Sequence, residues 1–382
     1  MLDANTALAQ TLMDGFAKRT GLISGAQRRY LWTDAFAVCN FIGLRRETAD
    51  PHYDELALRL VDAVHHVLGR HRADSSRSGW ISGLEEDVGE AHPTLAGLRI
   101  GKPLPEREPG QPFDSNLEWD RDGQYFHYLT KWMHALGQMA RTRNEPQLLM
   151  WASELADTAH RRFTYGSGTN KRMYWKMSID LMRPLVPSMG QHDPLDGLLT
   201  CLDLQSTAAT WGAPVRGPDL SGAIADFAAM VEPGTLPTSD PLGIGGLLID
   251  AFRLAQLVQA EARGASPKLL ASLLAASLQG LRHFSEYTDL DASANRRLAF
   301  RELGLAIGIA AVKSIDRTAL TEGARKSCAE IDHYAHLRRE IETFWIRPEN
   351  RKVQSWLDHA DINDVMLATS LAPDGFLVRP AR

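Results

Sequence analysis

Helical periodicity dominates the chain. Segments at about 5–19, 53–70, 146–163, 219–231, 266–284 and 317–344 repeat apolar residues at helical spacing and keep one polar side, as amphipathic helices do. Between them lie six drier segments, poorer in charge and richer in Gly, Ala and aromatic residues. These are "YLWTDAFAVCNFIGL" (30–44), the stretch 119–138 opening "WDRDGQYFHYLTKWMHAL", "DPLDGLLTCLDL" (193–204), "DPLGIGGLLIDAFRLAQL" (240–257), "RRLAFRELGLAIGIAAV" (296–312) and "DINDVMLATSLA" (361–372). A helix that is apolar nearly all round must be buried on nearly all sides. The alternation therefore predicts helical hairpins, each with a wetter outer helix and a drier inner one. "DPLDGLLT" at 193 and "DPLGIGGLL" at 240 share an Asp-Pro-Leu opening, the internal repetition expected of stacked units. Inner segments with so little charge favour closure over an open spiral. The expected fold is all-α, a single domain over 1–382, with six hairpins closed into an (α/α)6 toroid and no alternating strands.

Two connections depart from this rhythm. Residues 72–118 and 164–192 are rich in Gly and Pro and have little helical period, yet both contain Trp and several apolar residues. Disordered linkers avoid such residues, and loops of this length inside a compact domain are commonly functional. Both are expected to be ordered cover on one rim of the ring, each leading into an inner helix.

Composition narrows the class. The 382 residues are 44% hydrophobic and 23% charged, with a formal net charge of −5, ordinary for a globular protein. No Lys/Arg run suggests nucleic-acid binding. The N-terminus lacks the basic start and apolar core of a signal peptide, and no apolar run approaches the roughly 18 residues of a membrane span. Cys39, Cys201 and Cys328 are odd in number and far apart, which argues against a disulfide framework and for a reducing compartment. A soluble cytoplasmic protein with neither nucleic-acid nor membrane partner is the expectation.

At about 100° per residue, Asp120, Gln124, His127, Lys131 and His134 form one narrow polar stripe between aromatic residues. On an inner helix that stripe would face the ring axis. Other inner segments add Asp34, Asp193 and Asp196 after Gln191 and His192, Asp240, Arg297, Arg301 and Glu302, and His359, Asp361 and Asp364. Carboxylates and imidazoles among Trp and Tyr faces suit a sugar, whose rings stack while its hydroxyls take polar contacts. Hydrolysis of a glycosidic bond needs two carboxyl groups, one of them kept protonated. The acid/base candidates are Asp120 and one of Asp193, Asp196 or Asp361. Gln124, His127, His192, Arg301 and His359 would hold hydroxyls or a carboxylate, while Trp119 and Trp175 stack. An isomerase would instead pair His127 with His192 or His359. A non-enzymatic helical scaffold is the third reading. Asp193 before Pro194, and Asp240 before Pro241, also fit helix caps with proline at the first helical position; capping is the leading reading for both and for Asp196. His134 is expected to be structural, and Tyr174 either ballast or a stacking platform.

No Walker loop, GxGxxG, GxSxG or HExxH is present, nor Cys/His at zinc spacing, so neither cofactor nor metal is expected. With its alternating helices, "WDRDGQYFHYLTKWMHAL" and "GQHDPLDGLLT", the chain resembles the (α/α)6-toroid carbohydrate-active enzymes, both glycoside hydrolases and N-acylglucosamine 2-epimerase-like isomerases. The resemblance is architectural and implies a small carbohydrate substrate. The His-x-x-Glu-Trp inner-helix motif of the epimerases is absent, so no residue roles are carried over.

Overall fold

The computed structural model describes residues 3–211 and 217–380. Its helices in chain order are α1 (Ala4–Arg19), α2 (Leu31–Thr48), α3 (His52–Leu68), α4 (Glu86–Ala91), α5 (Ser115–Asp120), α6 (Phe126–Arg143), α7 (Pro146–Phe163), α8 (Asp193–Trp211) and α9 (Ser221–Met230). They continue with α10 (Pro241–Gln259), α11 (Pro267–Tyr287), α12 (Ala299–Lys313), α13 (Glu322–Asp332), α14 (Ala335–Ile346), α15 (Gln354–Leu357), α16 (Ala360–Leu371) and α17 (Asp374–Leu377). Each wet and each dry segment read from the sequence contains a helix here, although 119–138 is broken between Asp120 and Phe126. The segment 317–344 is two helices, α13 and α14, parted at His333 and Tyr334.

Three expectations are corrected. Short strands exist: β1 (Gln124–Tyr125), β2 (Thr164–Tyr165), β3 (Arg172–Met173), β4 (Lys176–Met177) and β5 (Pro184–Val186) form a three-stranded sheet in the order β1-β4-β5 and a β2-β3 hairpin. They are only two or three residues long, too short to show an alternation. No helix starts at Trp119 either. The chain leaves α5 at Asp120, turns through Gly123 at φ +142°, and enters α6 only at Phe126. The Asp-Gly pair there is itself a turn signal. Lastly, α10 is long and apolar enough, by length and composition alone, to be a membrane-span candidate, although most of it is buried.

Contacts cluster in two compact units. The first comprises the chain up to Phe16, Asn40–Tyr53 and Glu232–Arg379. In it α10 and α12 meet backbone to backbone: a Cβ on Gly245 would lie 2.2 Å from the Gly304 carbonyl oxygen, and one on Gly308 would lie 2.6 Å from that of Gly245. The glycines of "GIGGLL" and "GLAIGIAA" thus permit this contact, and the apolar surface of α10 is used against its neighbours. Asn40 binds the second half of α2 to α16, donating to the Val365 carbonyl (3.1 Å) and accepting from the Thr369 hydroxyl (3.0 Å).

The second unit comprises Ala17–Cys39 and Asp54–Val231. Here α6 and α8 lie side by side and point the same way, as their ion pairs show. Lys131 meets Asp196 at 2.8 Å and, further along both helices, Arg141 meets Asp203 at 3.1 Å. Within the long connection 72–118, Trp80, Ile81, Leu98 and Ile100 are buried. The cysteines Cys39, Cys201 and Cys328 are buried too.

Candidate functional site

The second unit gathers an aromatic circuit. Tyr30 and Tyr128 meet edge to face at 5.5 Å, their hydroxyls 2.6 Å apart. Tyr128 meets the His127 ring at 4.8 Å, and Trp175 lies parallel to that ring at 6.0 Å. Trp119 follows at 6.0 Å from Trp175. The Lys102 ammonium completes the circuit, 5.6 Å from the Trp119 ring and 5.5 Å from that of Tyr30. Tyr125, 3% exposed, touches His127, Tyr128 and Trp175 from the buried side. Exposure grades from Trp119, at 54%, to the buried residues behind His127.

Each member has a local anchor. Trp119 sits on the six-residue α5, whose Asp114 accepts from the backbone amides of Asn116 and Leu117. Fully buried Lys176 fixes the other end of α5, donating to the Glu118 carbonyl (2.7 Å), the Glu118 carboxylate (2.9 Å) and the Arg121 carbonyl (2.8 Å). Lys176 pairs with Tyr125 across β1 and β4, next to Trp175. Asp122 organises the loop below Lys102: its carboxylate accepts from Arg99 (2.6 Å), Arg72 (3.3 Å) and the Gly101 amide (3.0 Å).

Behind His127 stands Asp193. Its Oδ1 is 3.8 Å from His127 Nδ1, too far for a hydrogen bond, and among the described residues neither its Oδ2 nor His127 Nδ1 has a hydrogen-bond partner. Burial, reinforced by the charge of Asp196, pushes the Asp193 carboxyl up to about 8. Burial also drives His127 down to about 4. Near pH 7 both groups are therefore neutral, the carboxyl holding its proton. Asp196, one turn along α8, is ion-paired to Lys131. Burial costs a lone carboxylate dearly but a paired one much less, so two aspartates three residues apart end up in opposite roles.

Asp193 is not a cap. α8 starts at Asp193 itself rather than after it, and the Asp193 Oδ2 accepts no hydrogen bond among the described residues. Asp240 does cap: it precedes α10 and accepts from the Gly243 amide at 3.0 Å. The shared Asp-Pro-Leu thus enters its two helices one residue out of step. Gly190 matters here as well, since a Cβ on it would lie 2.5 Å from the Asp193 carboxyl.

The remaining candidates fall elsewhere. Asp120 is exposed at the end of α5, one residue past Trp119. Gln124 is fully buried and spent on backbone, accepting from Leu98 N–H (2.8 Å) and donating to the carbonyls of Ala96 (3.0 Å) and Ile179 (2.7 Å). It pins loops together and does not face a ligand. Half-buried His192 precedes α8, its carbonyl accepting from Asp196 N–H (2.9 Å). His134 is buried, Asp34 is ion-paired to Arg29 at 3.5 Å, and Tyr174 stacks on Tyr165 at 4.3 Å. In the first unit, Arg301 binds Asp240 (2.7 Å) and Arg297 binds Glu302 (2.7 Å). His359 packs on Phe300 at 5.7 Å, Asp361 is half-buried in the first turn of α16, and Asp364 is buried.

No protein-family model matches the chain, and no curated protein matches it by sequence. Solved structures do. The GH76A α-1,6-mannanase of Salegentibacter sp. aligns over 97% of this chain and 99% of its own, with 11% identity and a TM-score of 0.54. The GH76 α-mannanase of Bacteroides thetaiotaomicron aligns over 97% and 96%, with 9% identity and a TM-score of 0.57. The fold is the (α/α)6 toroid. A sugar epimerase from a ruminal bacterium aligns over 87% of each chain, with 8% identity and a TM-score of 0.48. An inactive variant of the Salegentibacter enzyme, in complex with α-1,6-mannotriose, has asparagine in place of two consecutive aspartates. No two aspartates are consecutive in this sequence.

Sequence reasoning passed over Lys102, Lys176, Tyr30, Tyr128 and Gly190. Tyr128 had a usable signal, being the aromatic neighbour of His127.

Proposed function

We propose that the protein hydrolyses glycosidic bonds, with Asp193 as proton donor and Asp196 as the partner carboxylate. The observation that carries this reading is a buried carboxyl, protonated at neutral pH and with one oxygen unpartnered, next to a circuit of aromatic rings. A proton donor must keep its proton at working pH and have an acceptor within reach. Asp193 meets the first condition, and its enclosed Oδ2, without a hydrogen-bond partner among the described residues, is left to meet the second. A sugar on the faces of Trp175 and Trp119 would offer its glycosidic oxygen to that proton, and neutral His127 would hold a hydroxyl.

Asp196 would then serve the anomeric carbon. Side chains three apart on a helix have Cβ atoms about 5–6 Å apart, and carboxyl groups kept that close would match the roughly 5–5.5 Å of retaining enzymes rather than the wider gap of inverting ones. The spacing favours direct attack by Asp196 and release of its covalent ester by water. An isomerase built on imidazoles is disfavoured, because His127 near 4 is a weak base. The two mannanases named above make α-mannosides the first substrates to try.

The test is a panel of α- and β-linked oligosaccharides against wild type and Asp193→Asn. Hydrolysis should fall about 10²- to 10⁴-fold in the variant, the usual contribution of a positioned acid, with no loss of melting temperature. Full activity in Asp193→Asn would end this reading.

A further inference from the structure

The charges around the circuit do not balance. Arg99 is paired with Asp122, Arg107 and Lys176 with Glu118, and Lys131 with Asp196. Lys102 is different. Among the described residues its ammonium has no ion-pair partner and donates no hydrogen bond, although it is half-buried between the rings of Tyr30 and Trp119. An ammonium carries three donors, and leaving them unmet in a partly desolvated place is costly. Two carboxylates reach it electrostatically, Asp120 from the end of α5 and Asp122 from the loop beneath. Asp122 is already shared between Arg99 and Arg72, and Asp120 is exposed, where water weakens its hold.

Its position is as informative as its charge. From Lys102 to His127 the circuit runs through two rings either way, by Tyr30 and Tyr128 or by Trp119 and Trp175. The ammonium and His127 thus stand across one circuit of rings from each other, with Asp193 3.8 Å from His127. We infer that the sugar held there is a hexuronic acid, its carboxylate bound by Lys102. A carboxylate fits better than a phosphate: a single lysine balances one negative charge, whereas dianionic phosphate is favoured by arginine forks or several cations. The inference names the substrate class of the site proposed above and rests on that reading for its location.

The experiment is equilibrium binding, followed by calorimetry and by the fluorescence of Trp119 and Trp175. Probes are the methyl glycosides of glucuronic, galacturonic and mannuronic acids, their neutral hexose counterparts, and the hexose 6-phosphates. At least one uronide should bind about tenfold more tightly than its neutral counterpart, as one partly buried charge pair allows. The advantage should shrink as salt is raised. Lys102→Met should erase it without weakening the neutral sugar, Lys102→Arg should keep part of it, and Asp193→Asn should leave it intact. Equal binding of neutral and acidic sugars, an advantage that survives Lys102→Met, tighter binding of the phosphates, or no binding by any probe would each overturn the assignment. Binding needs no turnover, so it separates this inference from the hydrolase reading. Loss of the uronide preference with hydrolysis intact sinks only the former, and activity retained in Asp193→Asn sinks only the latter.

Discussion

Asp193 Oδ1 faces His127 Nδ1 across 3.8 Å, and no hydrogen bond joins them. Kept apart and dry, each stays neutral, and the carboxyl proton remains available to something else.

Activity should therefore fall on the alkaline side as Asp193 ionises, with a limb near pH 8. Lys131 lowers the Asp193 value through its charge, so Lys131→Met should move that limb upward. The profile of kcat/KM against pH measures both. A limb unmoved by Lys131→Met, or one that stays near 8 in Asp193→Glu at reduced rate, would assign it to another group.

Stability carries the same two groups with opposite signs. Asp193 is raised from 3.8 to about 8. Between those values the folded state holds a proton that the unfolded state has lost, so stability falls as pH rises through the window. His127 is lowered from 6.5 to about 4, so between 4 and 6.5 the unfolded state binds the extra proton and stability rises with pH. The two oppose each other below 6.5, and only the Asp193 loss remains from 6.5 to 8. Asp193→Asn should raise the melting temperature most near pH 8 and hardly at all below pH 4. A gain independent of pH would contradict this balance.

Gly190→Ala should disturb catalysis more than folding. The added methyl meets the Asp193 carboxyl at 2.5 Å, and the flexible acid yields before the backbone does. The expected result is a fall of about 10-fold or more in kcat, as misplaced catalytic groups produce, with KM and melting temperature little changed.

Two adjacent glycines of α10 should respond oppositely. Gly245→Ala pushes a methyl into the Gly304 backbone and should cost about 1–3 kcal/mol, typical of overpacking. A Cβ on Gly246 meets nothing within 4 Å, so Gly246→Ala should stabilise by up to about 1 kcal/mol through helix propensity. Urea midpoints of the two variants decide.

The first-formed product should retain its anomeric configuration, because Asp193 and Asp196 are one helical turn apart on α8. Proton NMR within the first minutes of reaction, before mutarotation, reads this directly. An inverted product would turn Asp196 from nucleophile to general base.

Much of the architecture was legible because inner and outer helices differ in kind. The glycines and alanines of α10 and α12 record a backbone contact, and the one-sided polarity of α7 and α11 records an outer face. The turn at Asp122–Gly123 was overridden by the strong helical period that follows it. As a result Asp120 and Gln124 were put on one face with His127, whereas they lie on α5, β1 and α6 respectively. Asp193 and Trp175 were legible as types of residue. The protonation of Asp193 was not, since it depends on burial that only the packed neighbours create. Lys102 and Lys176 were invisible for a related reason: their importance lies in what they touch across long loops, and a lone lysine in a Gly/Pro-rich stretch reads as a solvated charge.

The parallel alignment of α6 and α8 leaves the molecule with unequal tolerance to insertion. One extra residue between Asp193 and Asp196 would turn everything after it by about 100°, parting Asp196 from Lys131 and Asp203 from Arg141 at once. Lengthening the exposed tip of the β2-β3 hairpin, around Gly166 and Gly168, would leave helix phase untouched. The loops can thus be lengthened or shortened without disturbing Asp193, which stays where α8 puts it.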